Sequence, residues 1–271
     1  MRSGDRPHIA IGSRLKGVEG VRTLGLKPNF HDYTHEERRL IREASIILYP
    51  TQNYAEFFST MDKRIFPSLE THLYADEKIK QTTLFNLFDL PHPKTRFYYH
   101  RHHSLITHDF EYPFIGKIPR RSARGRGVFF IGDSAALAAY LARTPVAYIQ
   151  EYLPHTRDLR VVLINYEPVL AYWRVKGSGD FRANLAQGGT IVFDDVPEEA
   201  VRIARDAAIK CRFDDVGLDL IHCGGRWHVI EANMKYGRKA LQLKEIDPLR
   251  IIRRLLDQDQ LGRQAAFSCI F

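Results

Sequence analysis

The chain has 271 residues, 44% hydrophobic and 27% charged, enough for one large domain or a few small ones sharing a core. No apolar run approaches the ~20 residues of a membrane helix, and no zinc-finger spacing or RNP-like aromatic motif accompanies the formal net charge of +8, which argues against a membrane span or a standard nucleic-acid module. The basic balance points instead to a nucleotide-phosphate site or an acidic substrate. Cys211, Cys223 and Cys269 are scattered and odd in number, as in a reducing cytoplasm, and the charged residues at positions 1–7 lack the apolar stretch of a signal peptide.

In chain order, residues 8–12 and 44–49 read as strands, with a helix between them opened by a Thr34–Glu37 capping box. Residues 53–61 read as a second helix, completing a small α/β layer to about residue 74. Gly17, Gly20 and Gly25 are wrongly spaced for a dinucleotide fingerprint, and no Walker A pattern occurs. Residues 76–88 read as a helix with Leu84, Leu87 and Phe88 inward, ended by Pro91 and Pro93. Strands are expected at 112–117 and 128–131, joined by a basic glycine loop at 120–126. Asp133 caps an alanine-rich helix, and a further strand runs over 147–153. Residues 159–164 and 169–175 read as an antiparallel pair, and 197–211 as a helix with Val201, Ala204, Ala208 and Cys211 on one stripe. Residues 217–223 and 226–233 form a hairpin about Gly224 and Gly225, and Asp247-Pro248 opens a last helix.

That hairpin carries the strongest chemical signal. Glu231 and Asn233 are two apart on one strand, hence on one face, and folding about Gly225 brings Asp219 level with Glu231. Two carboxylates and an amide oxygen then converge, the donor set of a hard cation such as magnesium. The competing reading is a charged outer face of an edge hairpin. Lys117 ends an apolar strand where it can reach phosphate as a point charge, and Ser122, Gly125 and Gly127 let backbone N–H groups approach phosphate closely. A solvated basic hairpin tip is the alternative there. Asp158, Arg160, Arg174 and Arg182 lie near strand ends together with Asn184, and phosphoryl transfer needs cations beside the metal. His100, His102 and His103 have no acidic or cysteine partner nearby and read as solvated surface. His222 and His228 read as packing on the outer face of the hairpin, and Trp173 and Trp227 as core or sheet-face residues.

Taken together, residues 113–117, Ser122-x-x-Gly125-Arg-Gly-Val128, Gln150–Tyr152, Asp158–Arg160, 179–184, Gly188-Gly189, Gly217–Asp219 and Glu231–Asn233 follow one another as in ATP-grasp ligases. The chain most resembles the RimK-like branch, with ribosomal-protein glutamate ligase, amino-group-carrier lysine-biosynthesis ligases and bacterial glutathione synthetase. The resemblance spans roughly residues 76–240. It implies an α/β (α+β) ATP-grasp fold: a reduced N-terminal α/β domain over 1–75, a lid subdomain over 76–150, and a C-terminal antiparallel-sheet subdomain with the metal site over 151–271. It also implies roles. Lys78 and Lys117 would contact ATP phosphates, Glu151 and Tyr152 would form the hinge that reads adenine, and Asp158 would bind ribose. Arg182 and Asn184 would sit by the triphosphate. Asp219, Glu231 and Asn233 would bind two Mg2+ ions, with Mn2+ as a substitute. Arg160 and Arg174 would steady the transferred phosphoryl group.

The implied activity is an ATP-dependent ligase that joins a carboxylate to an amine through an acyl-phosphate, on an amino acid, peptide or small protein. An acidic substrate suits the positive charge, and neither membrane nor nucleic acid is an expected partner. An ATP-grasp small-molecule kinase and a catalytically silent Mg-ATP-binding regulatory protein are the alternatives. Two departures stand out. The family continues past E-x-N into a small-small-Pro-Gly turn, whereas this chain reads Asn233-Met-Lys-Tyr-Gly237; that loses the rigidity of proline and places Lys235 beside the metal or acceptor pocket. The N-terminal part is also short for the family, so a partner subunit in a homo-oligomer is left open as a source of missing pocket residues.

Overall fold

The computed structural model describes residues 8–120, 127–175 and 190–263, and among them thirteen strands form three sheets. The first sheet is parallel, in the order β2-β1-β3-β4, from β1 (His8–Ala10), β2 (Val21–Thr23), β3 (Ile46–Leu48) and β4 (Arg64–Phe66). Ile46, Ile47 and Leu48 are all fully buried, the continuous apolar run of a parallel strand covered on both faces. Ile47 packs toward α1 (His35–Glu43) and α2 (Gln52–Thr60), while Ile46 and Leu48 pack toward Ile252 and Leu256 of the last helix. The expected capping box opens α1: Thr34 Oγ1 accepts from the Glu37 N–H at 3.2 Å, and Glu37 accepts from the Thr34 N–H at 2.7 Å. The short strands β2 and β4 carry too few residues to show a period in the sequence.

After α3 (Leu69–Leu73) and α4 (Lys78–Leu87), the second sheet is antiparallel in the order β5-β8-β6-β7. Its strands are β5 (Thr95–Tyr99), β6 (Phe114–Lys117), β7 (Val128–Ile131) and β8 (Val146–Glu151). One face packs on α5 (Ile106–Asp109) and on α6 (Ser134–Leu141), which Asp133 caps by accepting from the Ala136 N–H at 2.8 Å. At Gly116 a Cβ would stand 2.9 Å from the Tyr140 ring, so only glycine lets the ring lie against β6. Tyr140 then donates to the Lys117 carbonyl at 2.7 Å, fixing the strand end that carries Lys117.

The third sheet is antiparallel, in the order β11-β10-β9-β12-β13. It comprises β9 (Arg157–Ile164), β10 (Glu167–Val175), β11 (Thr190–Val192), β12 (Asp215–Cys223) and β13 (Arg226–Asn233). The expected β9–β10 and β12–β13 pairs are present. One face is covered by α7 (Glu198–Cys211), whose buried stripe of Ala200, Ala204, Ala207, Ala208 and Cys211 lies on Leu159, Val161, Leu218 and Leu220. The chain ends its described course with α8 (Lys239–Leu243) and α9 (Pro248–Asp257), and Asp247 caps α9 by accepting from the Leu249 N–H at 2.9 Å. No helix of the described residues is long and apolar enough to cross a membrane.

The expected inward side of α4 needs correction. Its buried residues are Lys78, Gln81, Thr82 and Phe85; of the expected set, Leu84 packs partly buried on the core, while Leu87 is 72% and Phe88 37% exposed. The stripe is mostly polar because it meets a sheet edge and the Tyr148 hydroxyl: Thr82 Oγ1 and Tyr148 Oη are hydrogen-bonded at 2.8 Å.

Asp214, just before β12, is 1% exposed. Its Oδ1 accepts from the Ser68 N–H at 2.8 Å and from the Thr71 hydroxyl at 3.0 Å. Burial pushes its carboxyl up to about 7 against the Ser68 N–H, with neighbouring Asp215 adding to the rise. A carboxyl raised above its unfolded value binds more protons in the folded chain, so its contribution to stability falls as pH rises from about 4 to about 7, at up to ~1.4 kcal/mol per pH unit. Asp214→Asn keeps an acceptor for both donors. It is expected to remove that slope and raise the melting temperature at pH 8, measured by thermal unfolding across pH 4–8; an unchanged slope would contradict this assignment.

Candidate active site

The face of the third sheet opposite α7 carries a row of polar side chains. Register places Asp158 opposite Arg174, Arg160 opposite Asp219, Asp219 opposite Glu231, and Gly217 opposite Asn233. The patch therefore crosses β10, β9, β12 and β13 over three successive levels, with Arg160, Asp219 and Glu231 at the middle one, Arg174 and Asp158 on one side of it and Asn233 on the other. A bulge makes this arrangement possible: Asp219 pairs with Glu231 but Leu220 pairs with Val229, leaving Ile230 as the extra residue. Trp227 and Val229 lie in the α7-side core. Without the bulge, strict alternation would put Glu231 on that same side.

Asp219 is the hub. Arg160 grips it with two bonds, Nε to Oδ1 at 2.6 Å and Nη2 to Oδ2 at 2.7 Å. Arg174 reaches Oδ2 at 2.9 Å, and Asn233 Nδ2 donates to the same oxygen at 3.0 Å. Arg174 Nε also donates to Asp158 Oδ1 at 2.5 Å. Burial opposes ionisation of Asp219, but the guanidinium groups of Arg160 and Arg174 outweigh it and hold the carboxyl below its ordinary range. At Asp158 burial prevails over Arg174, and proximity to Asp219 adds to it, so that carboxyl lies above its ordinary range. The two arginines thus hold Asp219 ionised under the surface and link it to Asp158.

The edge strand β13 is not left bare. Gln81 of α4 donates Nε2 to the Ala232 carbonyl at 2.9 Å and accepts from the Ala232 N–H at 3.1 Å, and Pro91 O accepts from the Val229 N–H at 2.7 Å. Covering these edge groups locks α4 and the segment after it against the hairpin. Three residues before Gln81 on the same face, Lys78 is thereby delivered to Glu231, with Nζ 3.2 Å from Oε1. Lys117 approaches from the second sheet, buried, with Nζ 5.5 Å from the Tyr148 ring centroid. Burial lowers its ammonium to about 8, which Glu231 partly offsets and Lys78 reinforces. Gln81 carries no sequence motif; its signal is a buried amide one turn from a lysine on a helix whose inner stripe is polar.

The structure brings together Lys78, Lys117, Asp158, Arg160, Arg174, Asp219, Glu231 and Asn233 of the residues singled out above. Asp158, expected at a ribose, has Arg174 as its described partner. Arg160 and Arg174, expected at the phosphoryl group, are engaged with Asp219. Glu151 ends β8 and accepts from the Lys94 N–H at 2.6 Å, and Tyr152 packs edge-on against Phe130. Gly127 precedes β7 and passes its carbonyl to the Ile118 N–H at 2.7 Å. Ser122, Gly125, Arg182 and Asn184 lie outside the described residues. His228, expected on an outer face, is 3% exposed, because the 90–94 segment closes over the β13 edge.

In donor chemistry the hairpin fits a hard dication, with two carboxylates and an amide side chain on one face. Any such ion competes with the guanidinium groups for Asp219 and with Lys78 for Glu231. Among the described residues no group of three or more His, Cys, Asp and Glu side chains is placed to hold a metal ion, so a third protein donor would be Asn233.

Comparison with known proteins identifies the family and the fold. The family model of the RimK-like ATP-grasp domain matches residues 75–252. A glutathione synthetase of Nostoc sp. is 29% identical over 150 residues, 51% of this chain and 45% of that protein. A coenzyme gamma-F420-2:alpha-L-glutamate ligase of Methanococcus maripaludis is 30% identical over 190 residues, 66% of this chain and 65% of that protein. The chain thus spans about half to two thirds of these curated relatives. Among solved structures, a RimK domain ATP-grasp protein from Sphaerobacter thermophilus superposes with a TM-score of 0.65 at 13% identity, covering 92% of this chain and 98% of that one. D-alanine–D-alanine ligase from Bacillus anthracis, complexed with ATP, superposes with a TM-score of 0.64 at 9% identity, covering 88% and 85%.

Proposed function

Since the chain belongs to the RimK-like ATP-grasp family, we propose that it is an ATP-dependent carboxylate–amine ligase acting on an amino acid, peptide or small protein. The observation that carries this reading is the meeting of Lys78 and Lys117 with the Asp219–Glu231–Asn233 hairpin, two cations above a set of oxygen donors. Lys78 and Lys117 attract the β- and γ-phosphates of ATP, and their burial strengthens that attraction by keeping water away. Two Mg2+ ions held by Asp219, Glu231 and Asn233 would supply charge neutralisation at the phosphates. Arg160 and Arg174 keep Asp219 ionised and oriented. The Glu151–Tyr152 exit from β8 offers backbone groups to adenine, and Asp158 is available to the ribose if Arg174 yields it.

In this reaction a substrate carboxylate oxygen bonds to the γ-phosphorus as the β–γ bridging bond breaks and ADP leaves. The amine then attacks the acyl carbon, phosphate departs, and the amine proton passes to phosphate or solvent. An amine arriving neutral needs little general-base help, so binding and orientation supply most of the rate. ATP as cosubstrate suits a cytoplasmic site of action, and the net charge of +8 suits an acidic substrate. The reading is tested by ADP release with panels of amino acids and peptides, followed by product mass. An amide with one phosphate per ADP is expected. A stable phosphorylated product would point to a kinase, and nucleotide binding without turnover to a regulatory protein.

A further inference from the structure

Asp215, the first residue of β12, is 1% exposed and lies on the same face as Asp219, since Val216 and Leu218 turn into the α7-side core. It is the floor under Arg14. Its Oδ2 accepts from Arg14 Nη1 at 3.1 Å and from the Tyr49 hydroxyl at 3.1 Å, and its Oδ1 accepts from the Tyr236 hydroxyl at 2.5 Å. The charge of Arg238 acts on it as well. Arg14 comes from the turn after β1 and Tyr49 directly follows β3, so two of these partners belong to the first sheet. Tyr49 takes a left-handed backbone with φ 45°, costly for a bulky residue, and its ring centroid lies 4.6 Å from the Arg14 guanidinium.

Tyr236 carries this anchorage to the donor strand. β13 ends at Asn233, opposite Gly217. A Cβ at Gly217 would stand 2.9 Å from that of Tyr236, so glycine lets the turn fold back against β12 at that level. The Tyr236 ring is buried against Val162, Tyr172, Ala240 and Leu241, and its hydroxyl ends on Asp215. Gln81 fixes β13 as far as Ala232. Asn233 therefore stands between two anchors, one before it at Ala232 and one beyond it at Tyr236. Its Nδ2 is committed to Asp219 at 3.0 Å, which leaves Oδ1 as the oxygen for a cation. No proline stiffens the turn over Met234-Lys-Tyr-Gly237, and the Tyr236–Asp215 bond supplies the restraint instead.

We infer that Asp215 is a positioning residue for the metal site: through Tyr236 it holds the turn after β13, and with it the aim of the Asn233 amide oxygen. The inference rests on the ligase reading and on the donor role of Asn233 within it. Asp215 is enclosed and acts only through Tyr236. Arg14 and Tyr49 stand one step further back. Both aim the same carboxylate oxygen, so Arg14 keeps it in place when Tyr49 lets go.

The test measures metal binding directly. Mn2+ is titrated into the protein with equimolar AMP-PNP and into AMP-PNP alone, free Mn2+ is read from its electron paramagnetic resonance signal, and the same variants are followed by thermal unfolding. Tyr236→Phe keeps the ring on Gly217 and removes only the hydroxyl. Tyr49→Phe removes the other hydroxyl from the same carboxyl and is the control. Both are expected to lower the melting temperature, since each leaves Asp215 one donor short. Tyr236→Phe alone is expected to weaken Mn2+ binding, by about five- to tenfold, just below the scale seen when a direct partner of a metal ligand is lost, while Tyr49→Phe stays within about twofold of wild type. Wild-type Mn2+ affinity in Tyr236→Phe, or an equal loss in both variants, overturns the positioning role and leaves Asp215 a structural pin. Wild-type protein that adds nothing to the Mn2+ affinity of the nucleotide, or Asn233→Ala that binds Mn2+ as tightly as wild type, removes the donor hairpin itself and the positioning role with it, which keeps the two failures apart.

Discussion

Replacing Asp219 by alanine is expected to cost about 3–5 kcal/mol of stability and to abolish turnover. Asp219 is the partner of two guanidinium groups whose side chains are only 11% and 10% exposed. Without it, Arg160 and Arg174 face each other under the surface with only Asp158 between them, and Asp158 is itself disposed by burial to take a proton. Removing one member of a buried ionic cluster leaves the desolvation cost of the others uncompensated. For a chain of this size the melting temperature should fall by roughly 10 °C. Thermal unfolding of Asp219→Ala measures it, and the double variant Asp219→Ala/Arg174→Met should recover part of the loss. A fall of less than about 1 kcal/mol would mean that the arginines find other partners and that Asp219 is not the hub.

Glu231→Gln should behave in the opposite way, with a large effect on rate and a small one on stability. Glu231 is 26% exposed, and Lys78 keeps a second acid, Asp76, at 3.7 Å. Removing its charge should therefore leave the fold within about 1 kcal/mol of wild type. ADP release, in contrast, should fall by roughly 10²–10³-fold, the scale seen when a preorganised charge-stabilising group is lost. A second signature follows from Lys117. Burial already lowers its ammonium to about 8, and Glu231 is the leading group that opposes this fall. With glutamine at position 231, Lys117 should lose its proton at a lower pH, so residual activity should decline earlier on the basic side. Wild-type ADP release from Glu231→Gln, with an unshifted basic limb, would remove Glu231 from the site.

The parts of the site that could be read from the chain are those set by short-range periodicity. Glu231 and Asn233 alternate with buried Ala232, and the Gly224-Gly225 turn brings Asp219 to within one residue of Glu231, the last step being made by the bulge. The capping box of α1 and the alanine stripe of α7 are local in the same sense. What could not be read depends on strands distant in sequence becoming neighbours. β9 lies between β10 and β12, so Arg160 meets Asp219 across 59 residues, and Asp215 meets Tyr49 across 166. Neither the clamp on Asp219 nor the floor under Arg14 has a sequence period. The inner face of α4 departs from its apolar pattern for a related reason: beside Leu84 and Phe85 its partners are the backbone of an edge strand and a tyrosine hydroxyl, which select Gln81 and Thr82 where an apolar core would select leucine. The bulge at Ile230 is similarly invisible in a run of alternating residues, yet it decides which side of the sheet Glu231 occupies.

The most direct measurement of the central claim follows oxygen. The protein is incubated with ATP, Mg2+, an amine and a carboxylate substrate carrying 18O in both carboxyl oxygens, and the released phosphate is analysed by mass. Ligation through an acyl-phosphate predicts one 18O atom in inorganic phosphate for each amide formed, with ADP as the nucleotide product. Amide formation with unlabelled phosphate, or with the label in AMP, would contradict the account.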